Sequence, residues 1–205
     1  MIEIAVFARA PIQGRVKTRL ADEVGPAEAL AAYAEMLGRT VAAVVAACRE
    51  RPDLRPVLWH LGEWPGEFPL PPAIASNRRR QPHAEMRANL CELFRPDPRT
   101  PRRGVVAVGA DHPAIEPADV LAVVSLLDVA DAAIGPAEDG GFWALGTAVD
   151  LRDALRDLPV GTSRTLEALD RALAGAGLGA CRGPTLWDVD TAADLARWRG
   201  PMHRE

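Results

Sequence analysis

The sequence predicts an α/β fold in which a mostly parallel sheet is covered on both faces by helices. Three observations carry this. Ile2 to Ala8 and Gly104 to Gly109 are short, nearly continuous apolar runs, as expected of strands buried on both faces. From Ala27 to about Arg49 apolar residues recur at spacings of three and four in an alanine- and leucine-rich stretch, the pattern of a long amphipathic helix. Strand and helix signals then alternate to the end of the chain, which favours parallel strands joined by helical crossovers.

Taken in order, the first strand runs into a loop containing Pro11 and Gly14, followed by a short helical turn through Leu20. Gly25 and Pro26 punctuate, with the proline at the first position of the long helix. Pro56 to Leu61 is a second strand. Gly62 to Pro72, crowded with Gly, Pro and Trp, is an ordered loop or flap. With Trp59 and Trp64 nearby it is a candidate acceptor lid or homodimer contact. Met86 to Phe94 is helical, Gly104 to Gly109 is the next buried strand, and Pro117 opens a helix through Leu127. Asp131 to Ile134 and Phe142 to Leu145 are short strands flanking the turn Gly135 to Gly141. Ser163 is the expected N-cap of a helix to about Ala174. Thr185 to Val189 reads as a last strand, and Thr191 with Asp194 forms a capping box for a terminal helix.

A chain of 205 residues fits one domain over 1–205 with room for a sizeable core. Its 48% hydrophobic and 25% charged residues are ordinary globular values, which argues against disorder. A formal net charge of −4 gives no global attraction for nucleic acid or anionic membranes. One Tyr, four Phe and five Trp offer no stacking platform for a single strand. Basic residues are unevenly placed: Arg15, Lys17 and Arg19; the run Arg78 to Arg80; and Arg102 with Arg103. Local basic spots on a mildly acidic chain suit small phosphorylated substrates rather than a polymer. Three separated cysteines with no CxxC pair support neither a zinc site nor a disulfide framework, so a reducing cytoplasm is expected. The most apolar helical stretch, about Thr40 to Cys48, is below spanning length, so no membrane span is expected.

Four segments could carry chemistry. Phe7 to Ala21 follows the first strand, at the carboxyl edge where open α/β sheets bind ligands. Gly14 permits close backbone approach, and Arg15, Lys17 and Arg19 lie within five residues before a helix, suited to phosphate. The spacing is that of neither a P-loop nor GxGxxG, and a solvated basic turn would use the same residues. In Val108 to Pro113, Asp111 ends a hydrophobic strand, where a divalent cation could bridge protein and diphosphate; hard oxygen ligands suit Mg²⁺ or Mn²⁺. A turn-capping Asp111 is the alternative, and His112 reads as structural. In Ile134 to Trp143 the glycines leave room for a substrate beside Asp139, with Phe142 or Trp143 as a stacking wall; a simple Asp-Gly hairpin turn explains the pattern equally. In Leu186 to Leu195, Asp188 and Asp190 alternate along an extended segment and point to one face, tolerable if a cation neutralises them. Gly161 to Arg164 could cradle an anion or merely cap a helix, and Arg78 to Arg80 could be a solvated face or touch a diphosphate.

Together these segments resemble the DUF2064 family, a group of GT-A-like proteins described as radical-SAM/selenodomain-associated transferases. Its ordered motifs FARxPxxGxxKTRLA, GxDxP, GPxxDGGY and DxDTxxDL stand here as Phe7–Ala21, Gly109–Pro113, Gly135–Phe142 and Asp188–Leu195. The first segment is also similar to the opening of phospholactate guanylyltransferases. The resemblance implies a Rossmann-like GT-A three-layer sandwich with a mixed, mostly parallel sheet. It further implies a divalent cation on Asp111 and Asp190, with Asp188 on the same face of the extended segment as a third candidate ligand. Nucleotide phosphates would be held by Arg9, Gly14, Arg15, Lys17 and Arg19, with Asp139 and Asp111 in catalytic roles. The activity implied is metal-dependent glycosyl transfer from a nucleotide-sugar to a small acceptor. Nucleotidyl transfer from an NTP to a phosphorylated molecule is the alternative, and a non-catalytic nucleotide-binding homologue a second one. Phe142 replaces the family tyrosine, Val160 to Ser163 stands where the family carries Trp-Ser-Thr, and Ala84 to Arg87 where it carries a longer Leu-Gly-Glu-Arg-Met-like stretch.

Overall fold

The computed structural model describes residues 1–66, 68–96 and 103–200; Arg102 of the basic pairs lies outside them. The chain begins with β1 (Ile2–Arg9), α1 (Thr18–Val24), α2 (Pro26–Glu50) and β2 (Leu54–Leu61). Next come α3 (Pro72–Ala75), β3 (Arg78–Arg80), α4 (Met86–Leu93), β4 (Gly104–Gly109) and α5 (Pro117–Leu126). The last part holds β5 (Ala132–Pro136), β6 (Phe142–Thr147), α6 (Arg152–Leu155), α7 (Thr165–Gly175), β7 (Ala180–Arg182) and α8 (Ala192–Arg199).

Among the described residues the strands form one seven-stranded sheet in the order β3-β2-β1-β4-β6-β5-β7. All neighbours are parallel except β6, which runs antiparallel to both β4 and β5. Side chains alternate along β1, and this alternation divides the core. Ile2, Ile4, Val6 and Ala8 face the layer of α2 and α5, while Ala5 and Phe7 face the layer of α4, α6 and α7. Ile2, Ile4 and Val6 are almost wholly removed from water, each worth about 1.5–3 kcal/mol. A smaller cluster joins α1, α2 and α8 through Leu20, Met36, Val189 and Leu195.

Four local expectations are corrected. The last strand is Ala180–Arg182 rather than Thr185 to Val189, where only Leu186 bridges to Ala137. Arg78 to Arg80 is an edge strand, not only a solvated run; Arg79 pairs with Glu3 at 3.1 Å and Arg80 with Glu63 at 3.0 Å. Ser163 does not cap α7. Arg164 holds that position without a side-chain bond, and the Thr165 hydroxyl lies within donating distance of the Pro159 and Thr162 carbonyls, at 2.7 and 2.8 Å. The long helix α2 spans 25 residues and is apolar enough to cross a membrane by length and composition, contrary to the shorter stretch expected. Its inner face, from Ala29 to Ala47, is spent on the core.

Candidate active site

The carboxyl ends of β1 and β4 are neighbours at one edge of the sheet, and the chain turns sharply after each. After β1, Ile12 N–H reaches the Ala10 carbonyl at 2.8 Å and Arg15 N–H reaches Ile12 O at 3.0 Å, with Gly14 at φ 75° between. Buried Val16 anchors the loop. Lys17 then adopts φ 44°, ψ 50°, the one non-glycine residue with positive φ among those described. A left-handed lysine costs about 1–2 kcal/mol, a strain characteristic of functional sites. Its side chain is only 7% exposed and lies between two acids: Nζ is 2.9 Å from Asp111 Oδ2 and 2.8 Å from Asp190 Oδ1. Arg19 pairs with the other oxygen of Asp190 from the solvent side.

Asp111 is set by the turn after β4. A Cβ at Gly109 would lie 3.0 Å from His112 Nε2 and 3.3 Å from Asp111 Oδ1, so the tight approach favours glycine there. His112 is buried; Nδ1 lies 3.2 Å from the Trp187 carbonyl and Nε2 lies 3.3 Å from Asp111 Oδ1. It ties the β4 turn to the Asp188 segment. That segment is held from the other side as well. Leu186 N–H donates to Pro136 O at 3.0 Å, Glu138 N–H donates to Leu186 O at 2.9 Å, and the Arg197 guanidinium lies 4.1 Å from the Trp187 ring centre. Buried Val189 pins the chain between the two acids, and the Thr191–Asp194 box fixes the exit, with Thr191 N–H donating to Asp194 Oδ2 at 2.9 Å. One carboxylate oxygen from each of Asp111, Asp188 and Asp190 lies within 4.8 Å of the others, all three half-buried.

The charges are unevenly compensated. Burial pulls the Lys17 ammonium down, but Asp111 and Asp190 more than offset it and raise it above the ordinary lysine value. Burial pushes Asp111 up, and the Lys17 charge, His112 and the lysine hydrogen bond outweigh it, holding the carboxyl below the usual range. Asp188 is pushed up by burial first and by Asp111 second, with Lys17 only partly opposing. Three oxygen donors with one undercompensated acid fit a hard divalent cation.

The site opens into a cavity of about 530 Å³. Arg9, Arg15, Lys17, Asp111, Asp188 and Asp190 line it at the β1 and β4 ends. On the β2–β3 side it is bordered by Leu61, Gln81, Met86 and Leu90, and on the β6–α7 side by Asp139, Phe142, Val160, Gly161 and Thr165. The structure therefore brings Arg9, Arg15, Lys17, Arg19, Asp111, Asp139, Asp188 and Asp190 to one cavity. Gly14 does not line it and acts through the turn alone. Asp139 sits exposed at the β5–β6 hairpin, where Oδ1 accepts the Gly141 N–H at 2.8 Å, so both the turn and the site reading describe it. Trp143 is not a free stacking wall. It is 1% exposed, its indole lies against Gly135, and Nε1 donates to the Pro184 carbonyl at 2.8 Å. Trp59 is likewise core, stacked on Phe7 with centroids 5.7 Å apart.

Sequence reasoning missed two groups. Gln81 is buried, donates to the Trp59 carbonyl at 2.8 Å and accepts from Asn89 Nδ2 at 2.9 Å, ordering the segment after β3. Tyr33 of α2 reaches the end of β1. It was legible only as the single tyrosine in an apolar helix.

Comparison with family descriptions matches residues 42–162 to DUF2064, described as "Uncharacterized protein conserved in bacteria". The chain belongs to that family. The matched stretch holds Asp111 and Asp139, while the basic first segment and the Asp188–Asp190 pair lie outside it. Comparison with curated proteins returns no match. Among solved structures, a protein assigned as a nucleotide-diphospho-sugar transferase from Desulfovibrio desulfuricans G20 superposes with TM-score 0.83 at 22% identity, covering 100% of this chain and 89% of that one. CMP:2-keto-3-deoxy-manno-octonic acid synthetase complexed with CTP gives 0.53 at 15% identity, covering 97% and 96%. The 2-C-methyl-D-erythritol 4-phosphate cytidylyltransferase of Thermus thermophilus gives 0.50 at 14%, covering 96% and 97%. The fold of this family member is thus that of the nucleotide-diphospho-sugar transferases.

Proposed function

We propose that the chain is a divalent-cation-dependent transferase that takes a nucleotide-sugar and moves its glycosyl group to a small acceptor. The observation that carries this is the convergence of Asp111, Asp188, Asp190 and buried Lys17 at one side of a cavity large enough for substrate. A Mg²⁺ or Mn²⁺ ion held by the three carboxylates would neutralise charge on the diphosphate leaving group. The chain's own residues do the rest. Arg9 and Arg15 hold phosphate oxygens from the rim. The Asp139 carboxylate takes the proton of the acceptor hydroxyl as that oxygen bonds to the anomeric carbon and the bond from carbon to phosphate oxygen breaks. Lys17 already neutralises Asp111 and Asp190, so a cation alone competes with its ammonium. A nucleotide's phosphates give Lys17 another partner. Cation and nucleotide should therefore bind cooperatively.

A second reading, nucleotidyl transfer, is favoured by the same lysine. Attack on an α-phosphate by an anionic nucleophile needs cations to bring two anions together and no base, and Lys17, Arg15 and Arg19 supply them. The structural likeness to the two cytidylyl-transferring enzymes supports it. Product analysis decides. Release of a nucleoside diphosphate from UDP-, GDP- or CDP-sugars with Mn²⁺ and a panel of small hydroxylated acceptors supports glycosyl transfer, and pyrophosphate from an NTP with a panel of phosphorylated small molecules supports the second reading. Nucleotide binding without either product identifies a non-catalytic binding homologue.

A further inference from the structure

In a parallel ladder successive residues turn their N–H and C=O groups to opposite neighbours. The Ala10 N–H reaches Leu61 O on the β2 side at 2.7 Å, so the Arg9 peptide groups face the β4 side. There they meet no strand. β4 pairs with β1 only as far as Gly109 opposite Phe7, after which the chain leaves the sheet to place Asp111. A gap therefore opens in the ladder at the residue where the basic loop begins. The Tyr33 hydroxyl fills it. Oη accepts from Arg9 N–H at 2.9 Å and donates to Arg9 O at 3.0 Å, replacing the two ladder bonds that a continued β4 would make to Arg9. The ring is 5% exposed, packed in the core between α2 and the sheet, and borders the cavity.

We infer that Tyr33 is a positioning residue for the phosphate loop: its hydroxyl closes the ladder where β4 departs, fixing the Arg9–Lys17 segment relative to Asp111. This rests on the nucleotide-binding reading above. The geometry explains why one hydroxyl suffices. A phenolic hydroxyl can accept from the N–H and donate to the C=O of one residue while its ring stays in the apolar layer. Neither phenylalanine nor an aliphatic residue can do so, and the two backbone groups would then turn to water and loosen the loop.

Tyr33→Phe keeps the ring and its packing and removes only Oη. The test measures, for wild type and variant, exchange of the Arg9 amide, thermal melting, and titration of UDP-glucose and GDP-mannose with Mn²⁺. Expected are faster Arg9 exchange and about tenfold weaker nucleotide-sugar binding well below the melting temperature, the loss appearing in affinity (or KM) with kcat nearly kept. A purely structural hydroxyl would lower the melting temperature and leave that affinity within about twofold of wild type, which overturns the inference. So would slow Arg9 exchange in the variant. Wild type that binds no nucleotide overturns the binding reading and this inference with it, and it is seen without any variant.

Discussion

The two carboxylate-bearing regions that face the cavity are built differently. At the β1–β4 edge, Lys17, Asp111 and Asp190 come from three distant segments and lock together at 2.8–2.9 Å around a buried ammonium, with His112, Val189 and the Thr191–Asp194 box holding each from behind. At the β5–β6 hairpin, Asp139 is exposed and its observed bond is to its own turn. The first arrangement is costly to assemble and makes sense as a preorganised charge site. The second is stable as a hairpin whether or not it handles substrate. The proposed phosphate end is therefore written into the fold, and the proposed acceptor end only into one exposed side chain.

The sharpest way to break this comparison is Asp139→Asn. Asparagine retains the oxygen that accepts the Gly141 N–H, so the turn survives. If Asp139 is the base, turnover falls by about 10²–10⁴ while nucleotide affinity holds; unchanged turnover would reduce it to a turn residue. Lys17→Ala probes the other end. Mn²⁺ alone should bind about tenfold tighter, because the competing ammonium is gone, while nucleotide binding in the presence of Mn²⁺ weakens by a similar factor. Parallel weakening of both would contradict the competition. The pair also has a pH signature. The lowered Asp111 contributes stability above its ordinary value of 3.8 that is lost on acidification, and the raised Lys17 contributes stability below 10.5 that is lost on alkalinisation. The stability gap between wild type and Lys17→Ala should thus be widest between those values and narrow on either side, as read by denaturant unfolding across pH. A further effect concerns the hairpin's seat. Gly140 has φ 87°, and a Cβ there would lie 2.2 Å from the Ser163 carbonyl. Gly140→Ala should cost about 1–3 kcal/mol in melting experiments and lower turnover more than nucleotide affinity.

What was legible in the sequence follows the same division. β1, β4 and α2 announce themselves because burial on both faces or along one helix stripe leaves an apolar period. The Asp188–Asp190 alternation points both acids to one face, and they do meet Asp111. The edge strands were not legible. Arg78–Arg80 and Ala180–Arg182 each leave their outer residues exposed, so they are held by ladder bonds that no side-chain pattern records. Ser163 misleads because local capping chemistry favours it, while Thr165 makes the bonds from inside the helix. Lys17 reads as a phosphate ligand from its neighbours Arg15 and Arg19, but its contacts with Asp111 and Asp190 lie 94 and 173 residues away in sequence. Tyr33 escapes for a related reason: its role depends on where β4 stops.

The central claim is that the β1–β4 edge holds a nucleotide's phosphates through a cation on Asp111, Asp188 and Asp190. Calorimetric titration of UDP-, GDP- and CDP-sugars and of NTPs, with and without Mg²⁺ or Mn²⁺, tests it on wild type and Asp111→Ala. The account predicts binding of at least one nucleotide that strengthens with the cation, and loss of that strengthening in the variant. No binding under any condition, or unchanged cation dependence in Asp111→Ala, would contradict it.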